Sequence, residues 1–418
     1  MAGRCLIAAY YFPPAGGGGV QRISKFIKYA GRAGWQFMVV TGDENNSLIP
    51  EDSSQIDEIK PFCRVLPVSA SAIHTKAGVK STFFTRWMSA FFYIPDVRKK
   101  WARKAEKQII ALFNQEKYDC ILISSPPYSL AQLAARLSRQ LPVPVILDMR
   151  DPWSTNPYKI HPTSLHLWLD RALELKAVKN IRFGISAYQT LIDFYQKNIK
   201  GFEKAEWRWI PNGFDEEDFS ETETSSFNDN ALHIGFSGTF YSHLNHPEPL
   251  FKAMALLNEK GKNSIPDKKI IFHHIGKASI NVHELASKYG LKNQVILHGY
   301  LPHVECLKVL NRMNALVFFL DDHHKNSANT IGGKVYEYLR LKKPVLAVVP
   351  ENGEAAKLIN ATHSGVVVSY HDIPAIVSTL ETWLNKYPDL KFKNIEAYTR
   401  QNLSGKMLDF INFCLDRK

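Results

Sequence analysis

The chain has 418 residues, 45% hydrophobic and 22% charged, a make-up that excludes a disordered protein and at this length predicts two domains. No apolar run approaches the ~20 residues of a membrane span, and the early Arg4 is followed by no long apolar stretch or small-residue cleavage site, so neither a spanning helix nor a signal peptide is expected. The net charge of +12 lies wholly in residues 1–210, with 29 Lys and Arg against 17 Asp and Glu, while residues 211–418 balance at 23 each. A basic half predicts an anionic partner such as a membrane surface or a phosphorylated acceptor. Nucleic acid is not expected, because no finger spacing or RNA-binding signature accompanies the charge.

From the N-terminus, CLIAAYY reads as a buried strand that Pro13 and Pro14 stop, and the glycines Gly16 to Gly19 then lead into a helix, VQRISKFIKYAGRAG. QFMVVTG reads as a strand. The stretch STFFTRWMSAFFYIPDVRKKWARKAEKQII sets Phe83, Phe84, Trp87, Phe91, Phe92 and Tyr93 beside Arg98, Lys99, Lys100, Arg103, Lys104 and Lys107. That mixture suits a peripheral membrane surface, or equally two helices with buried aromatics and solvated lysines. YDCILISS, SLAQLAARLSRQL, VPVILDMRD and FGISAYQTLIDFYQ continue the alternation of strand and helix. WRWIPNGFDEEDFSETETSSFNDN is acidic, polar and aperiodic, and reads as a linker. Beyond it the alternation restarts with LHIGFSGTF, PEPLFKAMALLNEKG, KKIIFHHIG, HELASKYG, NQVILHGY, NALVFFL, KPVLAVVP and GVVVSY. The predicted class is α/β, with two tandem doubly wound domains whose ligands lie at the carboxyl ends of the strands.

Two glycine loops carry the strongest local signals. Gly16–Gly19, including Gly17 and Gly18, let another molecule approach the main chain, and Arg22 sits in the first helical turn. A flexible connection is the plainer reading; GGGGVQR lacks the third glycine of a dinucleotide fingerprint, and no P-loop lysine follows. In NTIGGKVYEYLRLKKPVLAVVPENGEAAKLI, the amides of Gly332, Gly333 and Lys334 suit a pyrophosphate, Lys334 adds a charge, and Glu337 lies near enough to bind a ribose. The end of VILDMRD brings Asp148, Arg150 and Asp151 to a strand end, where a carboxylate can orient or deprotonate an acceptor hydroxyl. An Asp–Arg pair that merely stiffens the strand end is the alternative, and Trp153 either stacks on a sugar or packs. Asp321, Asp322, His323 and His324 have metal-binding side chains, but a solvated loop is the preferred reading. Cys5, Cys63, Cys120, Cys306 and Cys414 are scattered, with no zinc or redox spacing, as expected of buried or half-buried thiols in a reducing cytoplasm.

Taken in order, YYFPPAGGGGVQR, LISSPPYSLAQLAARL, LDMRDPWS, IPNGFD, GFSGTF, HHIG, VILHGYLPH and GGKVYEYLRLKKPVLAV with PENGEAAKLI resemble a retaining glycosyltransferase of the two-Rossmann-domain GT-B type, glycosyltransferase family 4 of bacterial polysaccharide and lipopolysaccharide enzymes. The resemblance runs over nearly the whole chain. It implies an acceptor-binding domain over 1–205, a nucleotide-sugar domain over 212–395 facing it across a cleft, and a C-terminal helix in 396–418 returning to the first domain. It assigns ribose binding to Glu337 and phosphate binding to the amides of Ile331–Lys334, and it places the first glycine loop beneath the donor phosphate. Gly238, in the GFSG turn, joins the donor residues. Two positions depart from the family pattern. Asn329 stands where a first glutamate is usual, and GTFYSHLNHPEPL, with only His243 and His246, lacks the usual Arg and Lys, leaving Lys334, Lys277 or Arg22 to meet the phosphate charge.

The implied function is transfer of a hexosyl-type sugar from a nucleotide-sugar donor to a glycan or lipid-linked acceptor. The implied setting is cytoplasmic, with contact to the inner face of an anionic membrane. No metal and no other cofactor is expected. A nucleotide-sugar epimerase on the same fold and a non-catalytic nucleotide-sugar-binding scaffold are the alternatives.

Overall fold

A computed structural model describes residues 3–15, 18–42, 54–69, 83–220, 226–242, 244–264, 269–324 and 326–417. The chain divides into two compact units, Met1–Asn212 with Arg400–Lys418, and Gly213–Thr399. Each is a parallel α/β sheet flanked by helices, so the predicted class of two doubly wound Rossmann-like domains is the observed one.

The first unit runs β1 (Arg4–Ala9), α1 (Gly18–Arg32), β2 (Gln36–Gly42), α2 (Ser54–Ile59), β3 (Cys63–Val68), α3 (Phe83–Phe92), α4 (Lys99–Gln115), β4 (Cys120–Ser125), α5 (Ser129–Gln140), β5 (Val145–Met149), α6 (Ser164–Val178), β6 (Phe183–Ser186), α7 (Gln189–Asn198) and β7 (Glu206–Trp209). Its sheet has the order β3-β2-β1-β4-β5-β6-β7 with every neighbour parallel. Strands covered on both faces are largely apolar, and β4 and β5 are buried at every residue, with their polar members Ser124, Ser125 and Asp148 toward the carboxyl ends. The WRWI stretch, predicted as the start of a linker, instead supplies the edge strand β7. Its Trp207 packs against Tyr195 and Phe202, which a polar linker cannot do.

The second unit runs β8 (Leu232–Ser237), α8 (Glu248–Ser264), β9 (Ile270–Ile275), α9 (Val282–Lys288), β10 (Val295–Gly299), α10 (His303–Asn311), β11 (Ala315–Phe319), α11 (Lys334–Leu341), β12 (Val345–Val348), α12 (Glu354–Thr362), β13 (Gly365–Val368) and α13 (Ile373–Asn385). Its sheet has the order β10-β9-β8-β11-β12-β13, again parallel. The chain ends in α14 (Arg400–Leu415), which belongs to the first unit. Ile23, Phe26, Ile27 and Ala30 form one face of α1 at helical spacing, and Leu403, Met407, Phe410, Ile411 and Cys414 of α14 join them over Cys5, Ile7 and Ala9 of β1.

Three histidines cross the second sheet from β8 through β9 to β10. His233 Nδ1 lies 2.8 Å from His273 Nε2, His273 Nδ1 lies 3.0 Å from His298 Nε2, and His233 Nε2 lies 2.8 Å from Asp229 Oδ1. One proton placement satisfies every contact: each ring carries its hydrogen on Nε2 and is neutral. Burial, reinforced by the neighbouring His233 and His298, pushes the His273 imidazole down to about 3. Burial also lowers His274 and His298. Below pH 6.5 the unfolded chain therefore binds protons that the fold refuses. Stability from His273 is full above 6.5 and falls by up to about 1.4 kcal/mol per pH unit until about pH 3. Urea midpoints should drop between pH 7.5 and 5.5, and the drop should shrink in His273→Asn; equal midpoints at the two pH values would contradict this.

Candidate functional site

In a doubly wound sheet, ligands gather where strand order reverses, because loops leaving the two central strands diverge and open a crevice at their carboxyl ends. In the second unit that point lies between β8 and β11. Ser237 ends β8, and its amide donates to the Tyr338 hydroxyl oxygen of α11 at 2.8 Å. Gly238 follows with φ 149°, and Gly276, at the end of β9, has φ 140°. A Cβ on Gly276 would stand 2.1 Å from the Gly238 carbonyl oxygen, so the two strand ends approach this closely only as glycines. That carbonyl accepts from His274 Nε2 at 3.0 Å.

β11 leads through a 3-10 turn, Ser327–Asn329, to α11. Ile331 is buried, Asn329 and Gly332 are half-buried, and Gly333 is exposed at the helix start. The amides of Val335 and Tyr336 donate back to the carbonyls of Gly332 and Gly333 at 3.1 and 3.3 Å, and the turn's amides carry the positive end of the helix. One turn in, Glu337 is buried, yet it is ionised. Burial alone would push its carboxyl up, but the Lys334 charge and then His303 outweigh this and hold it at about 2. Lys334 Nζ reaches Glu337 Oε1 at 3.2 Å and Oε2 at 3.1 Å, and His303 Nε2 reaches Oε1 at 3.0 Å. Three contacts on a group that accepts about four hydrogen bonds leave room for a hydroxyl donor. His303, the first residue of α10, was not anticipated; its only signal was a histidine placed to open a helix after VILHGYLP. Lys277 lies on the loop after β9, exposed, with Nζ 5.9 Å from the Tyr300 ring centre.

In the first unit the reversal lies between β1 and β4. Gly16, Gly17 and His243 lie outside the described residues; Gly18 and Gly19 begin α1. A Cβ on Gly19 would sit 2.3 Å from Arg150 Nη1, the same nitrogen that donates to the Gly19 carbonyl. Nη2 of Arg150 donates to Pro126 O at 2.6 Å. Burial lowers the affinity of Arg150 for its proton, with Asp151 and Asp148 opposing. At least this glycine is needed by the protein's own guanidinium.

Arg22 is 2% exposed and Asp148 0%. Nε and Nη2 of Arg22 reach Asp148 Oδ1 at 3.1 and 2.9 Å, Nη1 donates to Pro211 O at 2.8 Å, and Nη2 also donates to Ile210 O at 2.9 Å. Ser124 Oγ donates to Asp148 Oδ2 at 3.2 Å. Arg22, expected as a phosphate ligand, is thus a strut inside the first unit. Asp148, expected beside Arg150 at an open edge, is paired with Arg22 instead, because α1 lays Arg22 across the end of β5. Trp153 is packed, stacked on Tyr128 at 5.4 Å and donating to Asp170 at 2.7 Å. Asp151 differs from Asp148: it is half-buried, burial raises its carboxyl, and it accepts no hydrogen bond among the described residues. Of the three residues read as catalytic it alone keeps an unengaged carboxylate.

Residues 218–401 match the model of the family "Glycosyl transferases group 1". No curated protein matches the chain in sequence. Among solved structures it is similar to sucrose-phosphate synthase from Thermosynechococcus elongatus, with a TM-score of 0.60, 14% identity, and 99% of this chain and 95% of that one covered. It is also similar to the lipopolysaccharide outer core galactosyltransferase WaaB, with a TM-score of 0.61, 11% identity and 99% of each chain covered. The UDP-GlcNAc 2-epimerase from Methanocaldococcus jannaschii matches with a TM-score of 0.52, 10% identity, and 99% of this chain and all of that one covered. Such identities speak to the GT-B fold alone.

Proposed function

We propose that the chain is a family 4 glycosyltransferase that moves a sugar from a nucleotide-sugar donor to a glycan or lipid-linked acceptor with retention, in cell-surface polysaccharide or lipopolysaccharide biosynthesis. The observation that carries this reading is the ionised, buried Glu337 one turn inside α11, behind the Gly332–Gly333 amides, within the segment that matches the glycosyltransferase model. Breaking the bond from the anomeric carbon to a diphosphate builds charge on the leaving phosphate. The α11 amides stabilise that charge, Lys334 adds a cation, and Glu337 holds the nucleoside through its ribose. Retention arises from departure and attack on one face of the sugar and needs no protein nucleophile. Asp151 orients or deprotonates the acceptor hydroxyl, and burial suits it to a base by raising its proton affinity.

A thermal-shift screen of nucleotide sugars should find a donor that raises the melting temperature, and that donor should slowly release free nucleoside diphosphate. An isomerised donor would overturn transfer in favour of epimerisation, and binding without any release would favour a scaffold.

Contact with an anionic membrane belongs to the same proposal. Among the described residues no helix is long and apolar enough to cross a membrane. A surface contact is supported by α3 and α6, which meet where His166 Nε2 lies 3.1 Å from Phe91 O and leave Phe92 66% and Trp168 64% exposed. Lys99, Lys100, Arg103, Lys104 and Lys107 of α4 are exposed nearby in sequence. The protein should sediment with anionic vesicles at low salt, be released as salt is raised, and lose about tenfold in binding when Phe92 and Trp168 are both changed to serine. Sedimentation unaffected by salt and by the double change would contradict this contact.

A further inference from the structure

The turns after β11 and β13 bring four metal-binding side chains together. Asp321, Asp322 and His323 leave the end of β11, and His371 arrives from beyond β13, two strands away in the sheet. One ligand atom from each of the four lies within 4.8 Å of the others. His371 Nε2 is 3.0 Å from Asp321 Oδ1 and 3.4 Å from Asp322 Oδ1. The His323 and His371 rings lie nearly parallel, 3.8 Å apart.

The turn is held in place by its main chain. The Asp321 amide donates to Leu244 O at 2.6 Å, and the His323 amide donates to Asp321 Oδ1 at 2.9 Å. The Asp322 side chain is only 17% exposed; its Oδ2 accepts from Ser369 Oγ, while its buried Oδ1 accepts no hydrogen bond among the described residues. Two carboxylates this close repel, and a buried oxygen without a donor is costly to keep. His371, 44% exposed, leaves a path from solvent.

We propose that Asp321, Asp322, His323 and His371 bind a divalent first-row cation, Zn²⁺ or Mn²⁺, that ties the turn after β11 to the turn after β13. Two carboxylate oxygens and two imidazole nitrogens form a mixed donor set that suits these ions better than Ca²⁺ or Mg²⁺, which favour oxygen alone. The cation neutralises the carboxylate pair and supplies the missing partner of Asp322 Oδ1. It anchors the first residues of the loop that carries Asn329, Gly332 and Gly333 to α11, so its effect on the site is positional. No step of sugar transfer runs through it, and the site stands whether or not the transfer reading does.

The test uses the full chain stripped of metal by a chelator. Zn²⁺ or Mn²⁺ alone should raise the melting temperature by roughly 5 °C at a hundredfold excess over the dissociation constant, with one ion bound per chain by titration and Mg²⁺ giving little rise. His371→Ala, a half-exposed position that leaves the fold intact, should abolish the rise and the stoichiometric binding, as should Asp322→Asn. His324→Ala, on the adjacent imidazole outside the cluster, should keep both. No rise, or a rise of equal size in His371→Ala, would overturn the assignment and mean adventitious binding to the protein's other histidines.

Discussion

Glu337→Gln should lower kcat/KM for the donor by about 10–100-fold, since a hydrogen bond to a charged acceptor is worth about 1.5–3 kcal/mol. The amide keeps the shape and removes the charge. Lys334 and His303 lose the carboxylate that fixes them, and the nucleoside loses a strong acceptor. Because the native carboxyl sits at about 2, it remains ionised across any ordinary assay range, and this residue should contribute no acid limb to the pH–rate profile. Its depressed acidity also stabilises the fold. That contribution is full above the ordinary glutamate value of 4.5 and is lost as pH falls through about 2. Steady-state kinetics with donor varied, together with a melting curve, separate the two effects. A variant with native donor KM and native kcat would remove Glu337 from the site.

Arg22→Ala should cost about 3–5 kcal/mol, because removing one member of a buried pair leaves the other charged and unpaired. Among the described residues Asp148 would retain Ser124 as its one hydrogen-bond donor, and the carbonyls of Ile210 and Pro211 would lose the Arg22 donors. The melting temperature should fall by roughly 6–20 °C at about 2–4 °C per kcal/mol. Arg22→Met combined with Asp148→Leu should recover much of the loss, since an apolar pair of similar volume is often neutral or better. An unchanged melting temperature in Arg22→Ala would mean that the pair does not hold the first unit together.

The architecture could be read from local pattern because strands buried on both faces need mainly apolar runs, and CILISS, VILDM, LHIGFS and ALVFF supply them. The second glycine loop was also readable, since Gly332, Gly333, Lys334 and Glu337 lie within six consecutive residues. Pairings between distant residues were not. Arg22 and Asp148 stand 126 positions apart, and nothing in either neighbourhood names the other. Gly19 looked like an opening for a ligand, and its space is taken by Arg150, a residue 131 positions away. His371 lies 50 positions from Asp321, and only the strand order brings them together. Burial misled as well as informed. Trp153 follows a strand end, where an aromatic suits a sugar, yet Tyr128 and Asp170 enclose it.

The place of α14 has a bearing on how the protein is made. A ribosome that has delivered every residue up to Asn212 has still not delivered the helix whose Leu403, Met407 and Phe410 cover Ile23 and Phe26. The first unit to emerge is therefore the last to be finished, and it waits with an apolar stripe bare while the whole second unit is synthesised. A stop codon falling between residue 399 and Leu403 would strand it in that state, so damage at the tail is felt at the head.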